Sequence, residues 1–223
     1  IAAAGITSDL KLIFLISAAS FIVGLIFTIR LPNPKQKKEI KPGTIKQVIS
    51  KNKFLFLSLL LRHIGAAAVW TILPIMIIEK LGGELYHISI VYVANTLTAF
   101  ILMNIMASKI QLSNVTKFKI GIGCSVFVFV GLSVVTEWWM AMPFMALVGA
   151  TWAFLFIGGN FHLMENNPRS TSTGIFSSTL SIAMVIGPII AGTIAFTFDY
   201  ISVMYFAITI IVIAFIVSLK IKN

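Results

Sequence analysis

Long apolar stretches separated by polar segments dominate the hydrophobic pattern of this chain. Seven of them follow one another, at residues 10–29, 54–78, 88–108, 118–135, 139–163, 174–198 and 203–219. Each is close to the roughly 20 residues that an α-helix needs to cross the hydrocarbon core of a bilayer. The pattern predicts an all-α fold, a polytopic helical membrane protein with seven spans.

One polar segment is much longer than the others and divides the chain. Residues 31–53 are rich in lysine and contain prolines and a glycine that interrupt helical periodicity. We therefore predict that residues 1–30 are the end of an N-terminal bundle, that 31–53 form a basic cytoplasmic linker, and that 54–223 form a six-helix transmembrane bundle. The alternative is that 31–53 is only a long loop within one bundle.

The charged residues predict an orientation, because basic residues near span ends are retained on the cytoplasmic side. If the seven spans alternate in direction, one side of the membrane receives the Lys and Arg residues of the linker, of residues 109–119 and of residues 220–222, together with Arg169. The opposite side keeps only Lys11 and Lys80. We therefore expect a multi-pass protein of the cell membrane, with the linker and the C-terminus in the cytoplasm.

Composition supports a membrane protein over a soluble one. Hydrophobic residues make up 58% of the chain and charged residues 11%, against about 25% charged residues in soluble domains. The net charge of +10 does not form one basic face, because the cations lie between apolar runs. The predicted partner is thus the lipid bilayer, and no nucleic acid is expected.

Recognisable catalytic and cofactor motifs are absent from the sequence. It contains no His-Glu-x-x-His pair, no Gly-x-Ser-x-Gly elbow and no phosphate-binding glycine loop. Its single cysteine, Cys124, excludes a disulfide and a thiolate metal pair. We predict no enzyme activity, no catalytic residue, no metal and no cofactor, and a membrane enzyme acting on lipid is disfavoured.

Arg62 is the one charged residue deep inside an apolar run, where a charge is costly unless it faces a cavity or a partner. It can instead extend toward the interface or bind backbone carbonyls. The adjacent His63 is more often structural in such a helix. Aromatic and amide side chains within other runs suit a cavity for an organic solute, or equally helix packing. The predicted substrate-binding residues are Arg62, Trp70, Asn95, Trp152 and Asn160.

The run 174–198 carries a seam of small residues at four-residue spacing: Thr179, Ala183, Gly187, Ala191 and Ala195. Such a seam allows close helix packing, and Pro188 removes a backbone hydrogen bond and favours a bend. We predict a helix-packing or gating role for Gly187, Pro188, Ala191 and Gly192. Static bundles also contain such helices.

Several segments in order resemble the C-terminal half of a major facilitator superfamily transporter. Residues 73–83, Leu-Pro-Ile-Met through Glu-Lys-Leu-Gly-Gly, are similar to the outer end of its seventh helix. Residues 187–192, Gly-Pro-Ile-Ile-Ala-Gly, are similar to its eleventh helix, and 167–170 to the inner loop before that helix. The loop 108–119 departs from the family because it lacks the Asp-Arg pair of the family's loop signature.

This resemblance implies alternating access by two six-helix halves around a site at the bilayer midplane. Because residues 1–6 look like the tail of a cut helix, we expect this chain to partner a missing N-terminal half of the same polypeptide. The expected function is secondary active transport of a small solute, anionic if Arg62 faces the cavity, or lipophilic if the cavity is mainly aromatic. The alternative is a non-transporting receptor or scaffold on the same bundle.

Overall fold

The computed structural model describes residues 10–30, 45–108 and 110–222. Helix α1 spans Leu10–Ile29 and belongs to a first compact unit, residues 1–39. The second unit, residues 40–223, contains every other element. Its helices are α2 Ile45–Lys51, α3 Lys53–Glu79, α4 Leu85–Ser108, α5 Asn114–Ser133, α6 Ala141–Asn166, α7 Arg169–Thr197 and α8 Tyr200–Ser218, with a 3-10 turn at Trp138–Met140.

Helices α3 to α8 confirm the six predicted spans after the linker. All six are long and apolar enough to cross a membrane, and the described residues contain no strand. The protein is therefore all-helical and suited to a multi-pass position in a bilayer. The first predicted run, residues 10–29, is also helical and coincides with α1.

The end of the predicted linker is more ordered than its sequence suggested. Residues 31–44 lie outside the described part of the chain, but Ile45–Lys51 forms helix α2. Val48 of this helix is buried and α2 packs on α7. Three apolar side chains in seven residues, Ile45, Val48 and Ile49, were too short a pattern to separate this helix from the surrounding polar segment. The division between the two units, at residues 39 and 40, still falls inside the predicted linker.

Local capping explains where several helices begin and end. Gly82 takes a left-handed φ of 65° after α3, and the amide of Gly83 returns to the carbonyl of Ile77 at 2.8 Å, which ends the helix. The hydroxyl of Ser113 accepts from the amide of Thr116 at 3.1 Å before α5. The carboxylate of Asp199 accepts from the amide of Ser202 at 2.7 Å before α8. Both are ordinary N-caps.

Contacts between helix ends show that successive helices run in opposite directions. At one end, which we call the linker end, the side-chain nitrogen Nδ2 of Asn52 donates to the side-chain oxygen Oδ1 of Asn167 at 3.4 Å. Contacts Asn114 to Glu165 and Lys119 to Ile221 belong to the same end. At the other, the far end, the Trp138 amide donates to the Leu81 carbonyl at 3.0 Å and Tyr200 to Glu79 at 2.8 Å.

Charge follows the same division among the described residues of the second unit. The linker end carries Lys46, Lys51, Lys53, Lys117, Lys119, Arg169, Lys220 and Lys222, with Glu165, and the far end carries Glu79, Glu84, Glu137 and Asp199, with Lys80. The structure thus places the basic residues from which the orientation was predicted at one end of the bundle, and the orientation itself stays a prediction.

The helix pairs that pack together form an internally symmetric pattern. Helix α3 packs on α7 and α8, helix α6 packs on α4 and α5, and α5 packs on α8. If α3, α4 and α5 are exchanged for α6, α7 and α8 respectively, the same set of packed pairs results. Each group contains three helices, an odd number, so equivalent helices of the two groups run in opposite directions. Helices α3 and α6 do not pack closely on each other in the described structure.

Small residues bring α7 close to α3. Thr179, Ala183, Gly187 and Ala191 are buried along one side of α7, and a Cβ added at Gly187 would lie 2.7 Å from the Ile64 carbonyl oxygen. Helix α7 continues through Pro188. Gly192 is exposed, with nothing within 4 Å of an added Cβ. The described packing therefore uses Gly187 and Ala191 but not Gly192.

Replacing Gly187 by alanine should destabilise the bundle, because the added methyl meets backbone atoms of α3 that have no room to move. We expect a loss of about 1–3 kcal/mol, typical of overpacking, seen as a lower midpoint of thermal unfolding in detergent. Gly192→Ala is the matched control, and should be neutral or slightly stabilising because alanine favours the helix. Equal midpoints for the two variants would contradict the close α3–α7 contact.

The N-cap of α8 gives a prediction in acid. Hydrogen bonds from Ser202 hold the pKa of Asp199 below its usual value. A lowered native pKa means that the charge stabilises the fold at neutral pH and that this contribution is lost as the pH falls through that pKa. Thermal unfolding of Asp199→Asn should show a lower midpoint than the wild type at neutral pH. The two midpoints should converge in acid, and a constant difference at all pH values would exclude the charge as its cause.

Candidate solute-binding site

The core of the bundle is divided by a polar layer at middle depth. One apolar cluster fills the linker end and another fills the far end. Between them lie Arg62 on α3, Ser125 on α5 and Thr151 on α6, all buried. The flanking apolar pairs are Leu59 and Ala66 on α3, Ile122 and Val128 on α5, and Leu155 and Val148 on α6. The three polar residues thus meet at the same level of three different helices.

Arg62 lies about 14 Å along α3 from Lys53, at 1.5 Å per residue, and its side chain is 0% exposed. Its Nε and one terminal nitrogen both lie 3.2 Å from the Ser125 hydroxyl. The same terminal nitrogen lies 3.4 Å from the Thr151 hydroxyl. The guanidinium is thereby held in one orientation, pointing into the bundle and away from either interface.

The two hydroxyls are themselves oriented by their helices. Ser125 donates to the Gly121 carbonyl at 2.7 Å, and Thr151 donates to the Val148 carbonyl at 2.9 Å. Each hydroxyl has one proton, so only its oxygen lone pairs remain for Arg62. The bonds to Arg62 are therefore set up by the backbone of α5 and α6 before any ligand is present.

The charge of Arg62 has no anionic partner among these residues. Its two acceptors are neutral, and in the described part of the chain every acidic residue lies at a helix end: Glu79, Glu84, Glu137, Glu165 and Asp199. The other terminal nitrogen, Nη1, is buried and has no hydrogen-bond partner. An unpaired charge in such a place is strongly unfavourable, so this arrangement favours a bound anion.

An aromatic ring lies near the guanidinium. The central carbon of the Arg62 guanidinium lies 5.8 Å from the ring centre of Trp152. His63 contacts both tryptophan rings of the cluster, at 5.3 Å from Trp70 and 5.4 Å from Trp152 between ring centres. These side chains connect α3 with α6, although the two helices do not pack closely on each other.

Two further polar nitrogens in this cluster lack partners. His63 Nδ1 and Trp70 Nε1 are buried and make no hydrogen bond. Together with Arg62 Nη1, they are the three such side-chain atoms found among the described residues. Buried polar groups are normally paired, so the occurrence of all three in this one cluster marks it as the place in the described core where polar groups still lack partners.

The cluster reaches the surface of the bundle through its tryptophans. Arg62 and His63 are buried, whereas Trp70 and Trp152 are each only partly buried. A solute could therefore approach Arg62 along these two rings. We call Arg62, His63, Trp70 and Trp152, with the supporting hydroxyls of Ser125 and Thr151, the Arg62 site.

The structure brings three of the five predicted substrate-binding residues together and leaves two apart. Arg62, Trp70 and Trp152 belong to the Arg62 site. Asn160 is buried and donates to the Phe156 carbonyl of its own helix at 3.1 Å. Asn95 is partly buried on α4, where its backbone lies against Gly149 of α6. Among the described side chains, neither amide makes a hydrogen bond or ring contact with the site.

Sequence reasoning missed Ser125 and Thr151, because serine and threonine are common in membrane helices and their hydroxyls satisfy themselves on the local backbone. The available signal was their depth. Each lies near the middle of an apolar run, at about the level predicted for Arg62.

A separate cavity of about 350 Å³ lies at the linker end, lined by Lys51, Asn52, Phe54, Leu55, His162, Lys220, Ile221 and Lys222.

Comparison with known proteins adds no family to this description. No protein-family model matches the chain, and no curated protein matches it. The function of the protein is therefore inferred from the geometry of the bundle and of the Arg62 site.

Removing the Ser125 hydroxyl should destabilise the protein, because Arg62 would lose the acceptor of two hydrogen bonds inside an apolar core. Ser125→Ala should lose about 1–3 kcal/mol, measured as a lower unfolding midpoint in detergent. Ser133→Ala is the matched control in the same helix, since Ser133 bonds only to the Val130 carbonyl. If both variants unfold together, the Ser125 bonds to Arg62 do not contribute.

Proposed function

We propose that this chain is one helical half of a secondary active transporter that moves a small solute by alternating access. The observation that carries the proposal is the polar layer at middle depth, where a fully buried cation keeps a free N–H donor inside an otherwise apolar bundle. Ionisable groups at such depth are typical of substrate and ion pathways. A purely structural arginine would be expected to use all its donors.

The internal symmetry of the bundle supports the same function. Inverted repeats are common in secondary transporters, and their substrate sites lie near the bilayer midplane between the repeats. Here α3 and α6 occupy equivalent places in the two groups of three spans. The Arg62 site lies between these two helices, at the interface between the groups.

The proposed transporter needs a second bundle to enclose its pathway. Helices α4 and α7 are equivalent under the internal symmetry, and they are the two least buried spans. Only 11% of the residues in the most apolar stretch of α4 are buried, and 22% of those in α7. Their apolar surfaces suit contact with lipid and with a further bundle. Following the resemblance to major facilitator transporters, we propose that the second bundle is an N-terminal half of the same polypeptide.

We place the proposed transporter in the cell membrane, with the linker end of the bundle facing the cytoplasm. The described basic residues at that end support this orientation through the positive-inside rule. They also suit attraction to anionic lipids of the inner leaflet.

Solute efflux from proteoliposomes tests the proposal. The protein encoded by the complete reading frame that contains this chain would be reconstituted into liposomes loaded with a defined mixture of amino acids, organic acids, sugars and lipophilic cations. Mass spectrometry would follow the loss of each compound. We expect at least one compound to leave faster than from protein-free liposomes.

Variants connect that flux to the Arg62 site. Trp152→Leu, which removes the ring beside Arg62 and His63, should slow efflux by about tenfold, the effect of losing one to two kcal/mol of binding to an aromatic group. Trp139→Leu is the matched control, because Trp139 is exposed at the far end. If no compound leaves faster than from protein-free liposomes, the receptor or scaffold function replaces transport.

A further inference from the structure

We infer that the Arg62 site binds a small organic monocarboxylate with a flat apolar or aromatic body, an assignment that rests on the proposed function and names its substrate class. The inference starts from the chemistry of the groups that lack partners. Arg62 Nη1 and Trp70 Nε1 carry protons and only donate. His63 Nδ1 can donate in the matching tautomer.

A ligand that completes the site must therefore supply acceptors. The Arg62 guanidinium adds a positive charge without a carboxylate partner in the described bundle interior. A carboxylate supplies both requirements, because its two oxygens accept several hydrogen bonds and match the planar donors of arginine. A neutral amide or alcohol would satisfy some of the donors but would leave the charge unpaired.

The number of charges distinguishes a monocarboxylate from a more highly charged anion. Within the Arg62 site, Arg62 is the only residue that carries a formal charge at pH 7, with His63 counted as neutral. A dianion such as a phosphate ester would bring one uncompensated negative charge into a site flanked by two apolar clusters. Burial of an uncompensated charge is costly, so a single negative charge is the better match.

The tryptophans define the rest of the ligand. Trp70 and Trp152 are partly buried, and both contact His63, at 5.3 Å and 5.4 Å between ring centres. An apolar or aromatic body can stack on their accessible faces while its carboxylate reaches Arg62. A short polar anion would leave these surfaces uncovered, whereas a flat apolar body removes them from water.

A binding experiment tests the substrate class without requiring transport. The protein encoded by the complete reading frame would be purified and placed in lipid nanodiscs. It would be titrated with benzoate, indole-3-acetate and hexanoate, and in parallel with the corresponding neutral amides. Stabilisation against heat would report binding of every compound, and quenching of tryptophan fluorescence would report binding of the compounds without an indole ring. We expect at least one carboxylate to bind at least tenfold more tightly than its amide, since hydrogen bonds to charged groups exceed neutral ones.

Paired arginine variants localise the effect. Arg62→Gln should abolish the preference for the acid over the amide, while Arg169→Gln should keep it, because Arg169 is exposed at the start of α7. If Arg62→Gln does not fold, Trp70→Phe provides a second test. It keeps a ring but removes one donor, and should weaken carboxylate binding several-fold.

The outcomes also separate this inference from the proposed function. Equal affinity for acids and amides, no binding of any carboxylate in the panel, or an unchanged preference in Arg62→Gln would overturn the inference. Efflux of neutral solutes alone would overturn it as well, while leaving transport intact. Carboxylate binding that depends on Arg62, together with no flux of any solute, would support the site and reject the transport function.

Discussion

The buried charge of Arg62 is the constraint on which the arrangement of the core depends. A guanidinium cannot remain in an apolar interior without hydrogen-bond acceptors, and it obtains them from α5 and α6 through Ser125 and Thr151. These bonds require the three helices to present one polar residue each at the same depth. The apolar clusters above and below them are consequently separate rather than continuous.

Close packing elsewhere makes this central layer possible. Gly187 lets α7 approach the backbone of α3, and Gly149 lets α6 approach the backbone of α4. Helices held at such short separations leave α3 and α6 connected mainly by long side chains. Helices α3 and α6 do not pack closely on each other, and it is these two helices that carry the rings and the cation of the site.

Most of the architecture could be predicted from the sequence. Six of the predicted spans are helices of suitable length, because runs of about 20 apolar residues have few other stable structures in lipid. Helix α2 could not be predicted in the same way, since its stability comes from burying Val48 on a distant helix. The candidate site was predicted in part. Arg62 was identifiable as a lone charge inside an apolar run, and Trp70 and Trp152 as aromatic residues within such runs.

The division between sequence and structure follows the range of the forces involved. Hydrophobic length, the separation of basic from acidic ends and the presence of one intramembrane arginine are properties of short segments, so the sequence alone determines them. Which hydroxyls hold Arg62, and which aromatic rings surround it, depends on the register between helices that are about 60 to 90 residues apart in the chain. Asn95 and Asn160 lie apart from the site for the same reason. Only the packing of whole helices against one another decides which of several equally polar side chains face a common point.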